Sequence, residues 1–342
     1  MKRVVSIVTT VYNAEKFIAI AMNSVFNQII EEDDLFIEYV IVNDCSPDNS
    51  NNVIHNFVKY WKDNHGGNLP KNFDIKIVTP KHNLGCGGAR KFGIENSTGN
   101  YFMFLDADDY YINNDLVQRV VSTLELTESD IVEFGLYYNY ESGQQKPSVV
   151  DKVITITNPV NALVSLYKNN LIKFHVWTKI IRKEIVDQFD YSEQRTFEDV
   201  ITIPVWVSLC KKITIIPSIE INYRSTQNSI IRDKILDTRL GTINAIASNF
   251  ERFKQWRSVL LAMYNRAMID LSIVLENKTS DDPGFNEMSR LNTKMLKYIY
   301  PNNWKELTFH LEDELNKKTE EINVEEQDIN NIDLSKVKGW EE

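Results

Sequence analysis

Apolar runs and amphipathic stretches alternate along the first part of the chain. Residues 4–11 are rich in β-branched side chains and predict a buried strand, whereas Phe17, Ala21, Val25 and Ile29 recur every four residues and predict a helix. Further strands are predicted at 37–43, 73–79 and 101–105, with helices between them. Strands that alternate with helices are typical of an α/β domain with a mostly parallel sheet and helices on both faces.

Polar residues gather where each of these strands ends. The four clusters cover residues 9–13, 43–48, 83–90 and 106–109. In parallel α/β sheets, ligands bind beyond the carboxyl ends of the strands. We therefore expect the four clusters to meet at one edge of the sheet, which makes that edge the candidate binding site.

The pattern becomes mixed after residue 127. A helix that begins near Glu198 and Asp199 is predicted to be kinked or split at Pro204. Strands are predicted at 130–140, 152–157, 212–217 and 219–224, and mostly helical structure at 158–190 and 233–300. The acidic tail at 311–342 is predicted to be solvated and weakly ordered after about residue 320.

The composition restricts the class of protein. The formal net charge is −10, whereas a nucleic-acid-binding protein is expected to be basic. Cys45, Cys86 and Cys210 are too few and too scattered for a disulfide framework or a zinc site, so free thiols in a reducing compartment are expected. The N-terminal segment lacks signal-peptide features, and no stretch approaches the ~18 apolar residues of a membrane span. We expect a cytoplasmic protein that can contact a membrane surface.

Three carboxylates, Asp106, Asp108 and Asp109, directly follow the strand predicted at 101–105. They do not open an EF-hand loop, because the glycine and the acid that such a loop needs further along are missing. A solvated turn is one interpretation. The one that we favour is a divalent cation held by one or two carboxylates and by substrate phosphates, as is usual for Mg²⁺.

The glycine-rich segment 83–90 ends in Arg90. It fits neither a dinucleotide fingerprint nor a P-loop. Its glycines allow close approach of the backbone, and the planar guanidinium of Arg90 suits phosphate. A salt bridge from Arg90 to one of the aspartates is the structural alternative, and both interpretations can hold together.

Two further acidic positions have structural explanations as well as functional ones. Asp44 ends a predicted strand and is our candidate for ligand contact, whereas Asp48 or Ser50 would cap the following helix. Glu198 and Asp199 lie where a helix begins, and the helix dipole alone would stabilise acids there.

Together these motifs resemble those of family-2 glycosyltransferases with the GT-A fold, which build bacterial surface polysaccharides. The similar segments are VSIVTTVYNAEKFI, YVIVNDCSPDNS, NLGCGGARKFGIENSTGNYFMFLDADD, VWTKIIRKEIVDQF, FEDV and NYRSTQNSI. The chain departs from the family pattern at Asn43, Cys45 and Lys91, where the family has Asp, Gly and Asn. The resemblance implies a GT-A (Rossmann-like) catalytic domain at 1–231 and leaves 232–342 as a C-terminal helical region with an acidic tail.

The resemblance also implies a role for each matching residue. The turn at 10–13 and Asp44 would hold uracil, and Asp108 would bind Mg²⁺ or Mn²⁺. Asp199 would be the general base, supported by Glu198. The residues implied to bind the nucleotide sugar are Thr10, Val11, Tyr12, Asn13, Asp44, Asn83, Gly85, Arg90, Asp106, Ala107, Asp108, Arg224, Asn228 and Ser229.

The activity implied is inverting transfer of one sugar from a UDP-sugar to a hydroxyl of a glycan or lipid-linked glycan, at the inner face of the cytoplasmic membrane. The chain lacks the Q-x-x-R-W motif of processive synthases. Two alternatives stay open: a nucleotidyltransferase, although the turn after the first strand has no glycine, and a non-catalytic nucleotide- or sugar-binding module, although every expected carboxylate is present. In the C-terminal region, Phe253, Trp256, Leu260 and Tyr264 form an apolar helix face that serves core packing or, alternatively, homo-oligomer or membrane contact.

Overall fold

The computed structural model describes residues 2–140, 143, 145–159, 171–188 and 198–225, together with 241–244, 246–247, 260–261, 264 and 267. The chain divides into two compact units, one formed by 1–160, 171–226 and 326–342 and the other by 161–170 and 227–325. Most of the predicted site lies in the first unit. Asn228 and Ser229 lie outside the described residues.

The first unit opens with alternating strands and helices. In chain order these are β1 (Arg3–Val11), α1 (Ile18–Phe26), β2 (Leu35–Asn43), α2 (Ser50–Asn64), β3 (Phe73–Val78), α3 (Gly85–Glu95) and β4 (Tyr101–Phe104). Strand β1 pairs in parallel with β2 and β4, and β2 pairs in parallel with β3. The predicted α/β fold with a parallel sheet is confirmed here, and each predicted strand overlaps the observed one.

The second half of the sheet is mixed. It contains β5 (Tyr110–Tyr111), α4 (Leu116–Leu126), β6 (Ile131–Tyr140), β7 (Gln145–Ser148), β8 (Ile154–Thr157), a 3₁₀ turn (Val176–Thr178), β9 (Lys179–Arg182), α5 (Lys183–Val186), α6 (Glu198–Leu209) and β10 (Lys212–Ser225). The strand order is β3-β2-β1-β4-β9-β6-β10-β5. Strand β9 lies antiparallel between β4 and β6, whereas β6 and β10 are parallel.

The prediction of mostly helical structure at 158–190 is wrong for β9. Ile180 and Ile181 are both 0% exposed in the middle of the sheet. A four-residue apolar run carries no periodicity that separates a strand from a buried helix, so its partners on β4 and β6 decide the outcome. The helix predicted for α1 is also too long at its C-terminal end, because α1 ends at Phe26 and Ile29 is 55% exposed.

Three boundaries differ from the sequence prediction. Most of the segment predicted as a turn at 83–90 is already helical, because α3 begins at Gly85. Helix α6 runs through Pro204 without being split. The two short strands predicted at 212–217 and 219–224 are one strand, β10, whose register against β6 shifts between Ile215 and Ile221.

Close packing places two helix starts near the end of β4. Gly93 lets α3 approach the sheet, since a Cβ at this position would overlap Val8. Helix α6 lies on β4 through Trp206, whose ring stacks on Phe104 with a centroid distance of 6.3 Å. Helices α3 and α6 therefore both pack on the part of the sheet that carries the carboxylates after β4.

The described residues of the second unit are helical, in agreement with the prediction for 233–300. Leu260 and Tyr264, predicted to pack in a core, are 0% and 2% exposed, while Phe253 and Trp256 lie outside the described residues. The boundary between 231 and 232 also lies outside them and stays a prediction. No helix in the described part of the chain combines the length and the apolar character that a membrane crossing needs.

Candidate active site

Asp44 fastens the glycine-rich segment to the end of β2. One carboxylate oxygen accepts the backbone N–H of Leu84 at 2.7 Å, and the other accepts Gly85 N–H at 2.9 Å and the Asn83 amide at 2.9 Å. Gly85 has φ +75°, which favours glycine. Asp44 is 3% exposed, so this carboxylate holds the start of α3 in place. Its predicted contact with uracil is an additional role and stays a prediction.

The turn after β1 lies against the loop after β2. Val11 C=O accepts the Asp44 N–H at 3.0 Å, and the Asn13 N–H donates to Ser46 Oγ at 2.8 Å. Asn13 has φ +53°, a conformation that Asn tolerates better than most residues. Tyr12 is 51% exposed at the tip of the turn. The ends of β1 and β2 therefore meet at one edge, as predicted.

The prediction that Asp48 or Ser50 caps the helix after β2 is wrong, because the N-cap residue of α2 is Asn49 and its side chain makes no capping hydrogen bond. The Ser50 N–H donates to Asp48 Oδ1 at 3.0 Å, and the other Asp48 oxygen accepts the Glu15 N–H at 2.9 Å. Burial opposes the shift, but hydrogen bonds from the Ser46 and Ser50 hydroxyl groups, followed by these two backbone contacts, lower the pKa of Asp48 to about 2. Asp48 thus has a structural role in this loop.

Arg90 joins the end of β4 to the start of α6. Its Nη2 lies 2.5 Å from Asp106 Oδ1, and its Nη1 forms a buried ion pair with Glu198. Arg90 is 5% exposed. The salt bridge that the sequence offered as a structural alternative is present, and it brings a residue 108 positions away into the site.

Asp108 and Asp109 carry carboxyl groups in an unfavourable environment. Burial, and then the neighbouring charge of Asp106, raise the pKa of Asp108 to about 6. Burial and the charges of Asp108 and Asp106 raise the pKa of Asp109 well above its usual range. Asp109 is 1% exposed, and its Oδ2 has no hydrogen-bond partner in the described part of the chain. A positive charge at this position would relieve the repulsion among these groups.

The residues present fit a divalent cation that shares its ligands with a substrate. Among the described residues, no group of three or more His, Cys, Asp or Glu side chains could enclose a metal ion. A cation held by Asp108 would therefore take its other ligands from phosphate and water, which is how Mg²⁺ is commonly bound. Oxygen donors alone suit Mg²⁺ and Mn²⁺ equally.

Asp199 is a half-buried carboxylate at the start of α6, and its role as general base stays a prediction. Burial raises the pKa of its carboxyl group, the charge of Arg90 opposes this, and with smaller contributions from Asp106, which raises it, and Lys179, which lowers it, the pKa is about 6. Its Oδ1 accepts the N–H of Val200 at 2.8 Å. Glu198 is paired with Arg90, so any support that Glu198 gives to Asp199 acts through the position of Arg90.

Arg224 lies close to Asp108 and Asp109. Its backbone N–H donates to Asp109 Oδ1 at 2.9 Å, and its guanidinium carbon lies 5.5 Å from the ring centre of Phe17 and 5.1 Å from that of Tyr110. Its charge lowers the pKa of Asp108. The contacts with two aromatic rings and the backbone hydrogen bond thus hold the positively charged side chain of Arg224 close to Asp108.

Sequence reasoning missed the residues that lead into β9. Lys179 is 0% exposed, and its Nζ lies 3.2 Å from Oε2 of Glu133, which is also 0% exposed. His175 and Trp177 stack on each other just before it. The strand pairing that brings Glu133 opposite Lys179 could not be read from the sequence, although a lysine inside an apolar run was a usable signal.

The remaining predicted residues lie around these groups. Thr10 makes a side-chain hydrogen bond with Cys86, the second residue of α3. Ala107 is 7% exposed between Asp106 and Asp108. The three cysteines are free thiols, as predicted. The four polar clusters are therefore brought together at one edge of the sheet, and α6 adds Glu198 and Asp199 to them.

Comparison with known proteins identifies the family. The model of "Glycosyl transferase family 2" matches residues 6–190, which is more than half of the 342-residue chain. This chain belongs to glycosyltransferase family 2. The match covers the strand ends and Arg90, so the nucleotidyltransferase and the non-catalytic binding module are set aside in favour of a glycosyltransferase.

Curated relatives support this family assignment. The glycosyltransferase GlyG of Streptococcus pneumoniae is 24% identical over 240 residues, which cover 68% of this chain and 74% of that protein. The uncharacterized glycosyltransferase EpsJ of Bacillus subtilis is 27% identical over 54% of this chain, and the alignment spans only 49% of EpsJ. A processive diacylglycerol beta-glycosyltransferase of Mycoplasma genitalium is 23% identical over 67% of this chain and 66% of its own length.

Solved structures show the same fold. TarS of Staphylococcus aureus (residues 1–349, in complex with UDP-GlcNAc) has a TM-score of 0.60 at 16% identity, covering 87% of this chain and 81% of that one. The mannosyltransferase PcManGT of Pyrobaculum calidifontis, in complex with GDP-Man and Mn²⁺, has a TM-score of 0.51 at 12% identity, with 88% of each chain covered. The GT-A fold of this family-2 glycosyltransferase is thereby established.

Proposed function

We propose that this family-2 glycosyltransferase transfers one sugar from a UDP-sugar to a hydroxyl group of a glycan or lipid-linked glycan in polysaccharide assembly, with inversion at the anomeric carbon. The observation that carries the proposal is the meeting of Asp108 and Asp199 around Arg90 and Asp106. One carboxylate suits a diphosphate-bound cation, and the other is tuned to accept a proton near neutral pH. The fold shared with TarS, which was solved with UDP-GlcNAc, supports UDP as the nucleotide.

On the donor side, Asp108 would hold the divalent cation, which when bound supplies positive charge beside the diphosphate. Arg224 adds a second positive charge, because its guanidinium is held by Phe17 and Tyr110 close to Asp108. The turn at 10–13 and Asp44 face the same edge of the sheet and would receive the uracil. These groups favour departure of UDP, because negative charge develops on the diphosphate as the sugar leaves.

On the acceptor side, Asp199 removes the proton from the attacking hydroxyl group. A pKa of about 6 leaves the carboxylate mostly ionised at pH 7 yet basic enough to accept a proton in the transition state. A single displacement with the acceptor opposite to the leaving UDP inverts the anomeric configuration. The lack of a Q-x-x-R-W motif favours one sugar per encounter, in contrast to the processive relative.

The test is release of UDP from a panel of UDP-sugars, with Mg²⁺, with Mn²⁺ and with EDTA. We expect at least one UDP-sugar to yield UDP in a metal-dependent reaction that Asp199→Asn slows. Asp74→Asn is the matched control, because Asp74 is an exposed carboxylate on β3, away from the site. Release of a nucleoside triphosphate, or no consumption of any UDP-sugar, would contradict the proposal.

A further inference from the structure

Four aromatic side chains gather beside the carboxyl ends of β6 and β10. Tyr138 of β6 lies opposite Tyr223 of β10, with ring centres 5.7 Å apart and the rings edge to face. The ring of Trp177 stacks on Tyr223 at 5.3 Å and on His175 at 4.5 Å, with interplanar angles of 9° and 6°. We call Tyr138, His175, Trp177 and Tyr223 the aromatic platform.

The aromatic platform is fixed from below by buried charges. The Lys179 ammonium donates to the backbone oxygens of Lys173 and His175 at 2.7 and 2.9 Å, and it pairs with Glu133. The Tyr138 hydroxyl lies 3.4 Å from His175 Nε2. Such contacts limit rearrangement of the segment before β9, so the rings are pre-organised.

The aromatic platform is only partly covered. Trp177 is 4% exposed, whereas Tyr138, His175 and Tyr223 are each half-buried. Burial and the charges of Lys179 and Lys173 lower the pKa of His175 to about 3, so the ring is neutral at working pH. The platform therefore offers uncharged aromatic surface at the edge of the sheet that carries the active site.

The position of the aromatic platform links it to Asp199, the proposed base, rather than to Arg224 on the diphosphate side. Tyr223 lies against Trp177, whereas the next residue, Arg224, lies between Phe17 and Tyr110, so the two side chains leave β10 on opposite faces. On the face of Tyr223, Lys179 supports His175 and is also one of the charges that lower the pKa of Asp199. The aromatic platform is therefore linked through Lys179 to Asp199, the predicted base, and lies on the face of β10 opposite to Arg224.

We propose that the aromatic platform binds a sugar ring of the acceptor. A pyranose presents a face of C–H groups, and these carry a small positive charge that is attracted to the negative face of an aromatic ring. Aromatic side chains with a few polar atoms are also the common lining of small-molecule sites. The assignment rests on the proposed function, because it takes the acceptor to be a glycan and the base to be Asp199.

The experiment measures sugar binding directly on the full chain, without nucleotide. Saturation-transfer NMR is recorded with methyl glycosides of glucose, galactose, mannose and N-acetylglucosamine. We expect at least one to bind the wild-type protein. Tyr138→Leu and His175→Leu should weaken that binding by roughly threefold to tenfold, which corresponds to ~0.6–1.4 kcal/mol for the lost ring contact. Tyr138→Phe keeps the ring and should bind within about twofold of the wild type.

Tyr60→Leu is the matched control, because Tyr60 is a 67% exposed tyrosine on α2. It should bind the glycoside as the wild type does. Failure of every glycoside to bind, or equal binding by the leucine variants, would overturn the assignment. A parallel loss of UDP affinity in those variants would place the platform on the donor side and would also overturn it. The UDP-release assay tests sugar transfer separately, so a failure of the proposed function is distinguishable.

Discussion

Strands β2 and β4 lie on either side of β1, and the loops that follow them carry carboxylates that differ in hydrogen bonding and in pKa. In the loop after β2, the two oxygens of Asp44 accept three hydrogen bonds from Asn83, Leu84 and Gly85, where the glycine-rich segment leads into α3. In the loop after β4, burial and mutual repulsion raise the pKa values of Asp108 and Asp109. The first loop is complete without a ligand, whereas the second has negative charge that no described side chain neutralises fully.

This difference separates the carboxylates that build the site from those that act in it. A buried carboxylate that accepts backbone N–H groups stabilises the fold. A carboxylate with a raised pKa is costly to the fold and is a candidate for ligand binding or catalysis. Asp199 shares the second property, with a pKa of about 6. Mutations in the two groups should therefore have effects of different kinds.

The largest effect is expected at Asp199. Asp199→Asn keeps the shape of the side chain and removes its basicity, so turnover should fall by ~10²–10⁴-fold while UDP affinity stays within about twofold. In the wild type, turnover should decline as pH falls below about 6, where Asp199 becomes protonated. Turnover of the folded variant is the measurement, with UDP binding by calorimetry beside it. Near-normal turnover would leave Asp199 only the structural role of an acid at a helix start.

The next effect concerns Asp108 and the cation. Asp108→Asn should weaken UDP binding in Mg²⁺ by more than about tenfold, because it removes a negatively charged ligand of the cation. EDTA should weaken UDP binding to the wild type and change that of the variant little. Calorimetry of both proteins with and without EDTA tests this. Equal UDP affinity of the wild type in Mg²⁺ and in EDTA would rule out a bridging cation.

Asp44 should respond mainly in stability. Asp44→Asn replaces one acceptor oxygen by an NH₂ group that faces the donors of the glycine-rich segment, and leaving buried N–H groups unpaired costs ~1–3 kcal/mol. The free energy of unfolding from urea titrations measures the loss. Uridine binding should weaken as well if Asp44 meets the base. An Asn variant of unchanged stability would show that these hydrogen bonds do not hold the loop.

The strand ends could be predicted from the sequence, whereas the far side of the site could not. Parallel strands place their carboxyl ends at one edge, so the gathering of Asp44, Arg90 and Asp106 followed from the element order alone. The pairing of Arg90 with Glu198 joins residues 108 positions apart, and no local pattern encodes it. Strand β9 was missed for a similar reason, because its place depends on two distant strands rather than on its own four residues.

A smaller effect, on stability, is expected when Asp108 is replaced by a neutral residue and no ligand is bound. The pKa of Asp108 is about 6 in the folded chain, whereas the ordinary value of an aspartate, which applies to the unfolded chain, is 3.8. Between these values the folded protein binds more protons than the unfolded one, so its stability falls as pH rises. Asp108→Asn removes this loss and should raise the free energy of unfolding at pH 7.5 by about 0.5–2 kcal/mol, with no gain near pH 4.

Thermal unfolding in EDTA at the two pH values measures this gain. Asp48→Asn is a matched control of opposite sign, because the pKa of Asp48 is lowered to about 2 and its charged form is stabilising. The control should lose stability at pH 7.5. A loss of stability in both variants would show that the Asp108 carboxylate is not under strain without its ligand.

The smallest effect on stability is expected from a substitution at Cys45, which tests whether the backbone of the loop after β2 is strained. Cys45 has φ +54°, and the family pattern has Gly at this position. The left-handed conformation costs a residue with a Cβ about 1–2 kcal/mol, whereas Gly loses about 0.5–1 kcal/mol more conformational entropy on folding. Cys45→Gly should therefore raise the free energy of unfolding by ~0.5–1 kcal/mol. The same change at Cys86, in the helical α3, should lower it by about 0.5–1 kcal/mol. Urea titrations of the two variants give the comparison, and a loss of stability at both positions would mean that Sγ contacts, such as that from Cys45 to the Pro80 carbonyl at 3.4 Å, outweigh the backbone strain.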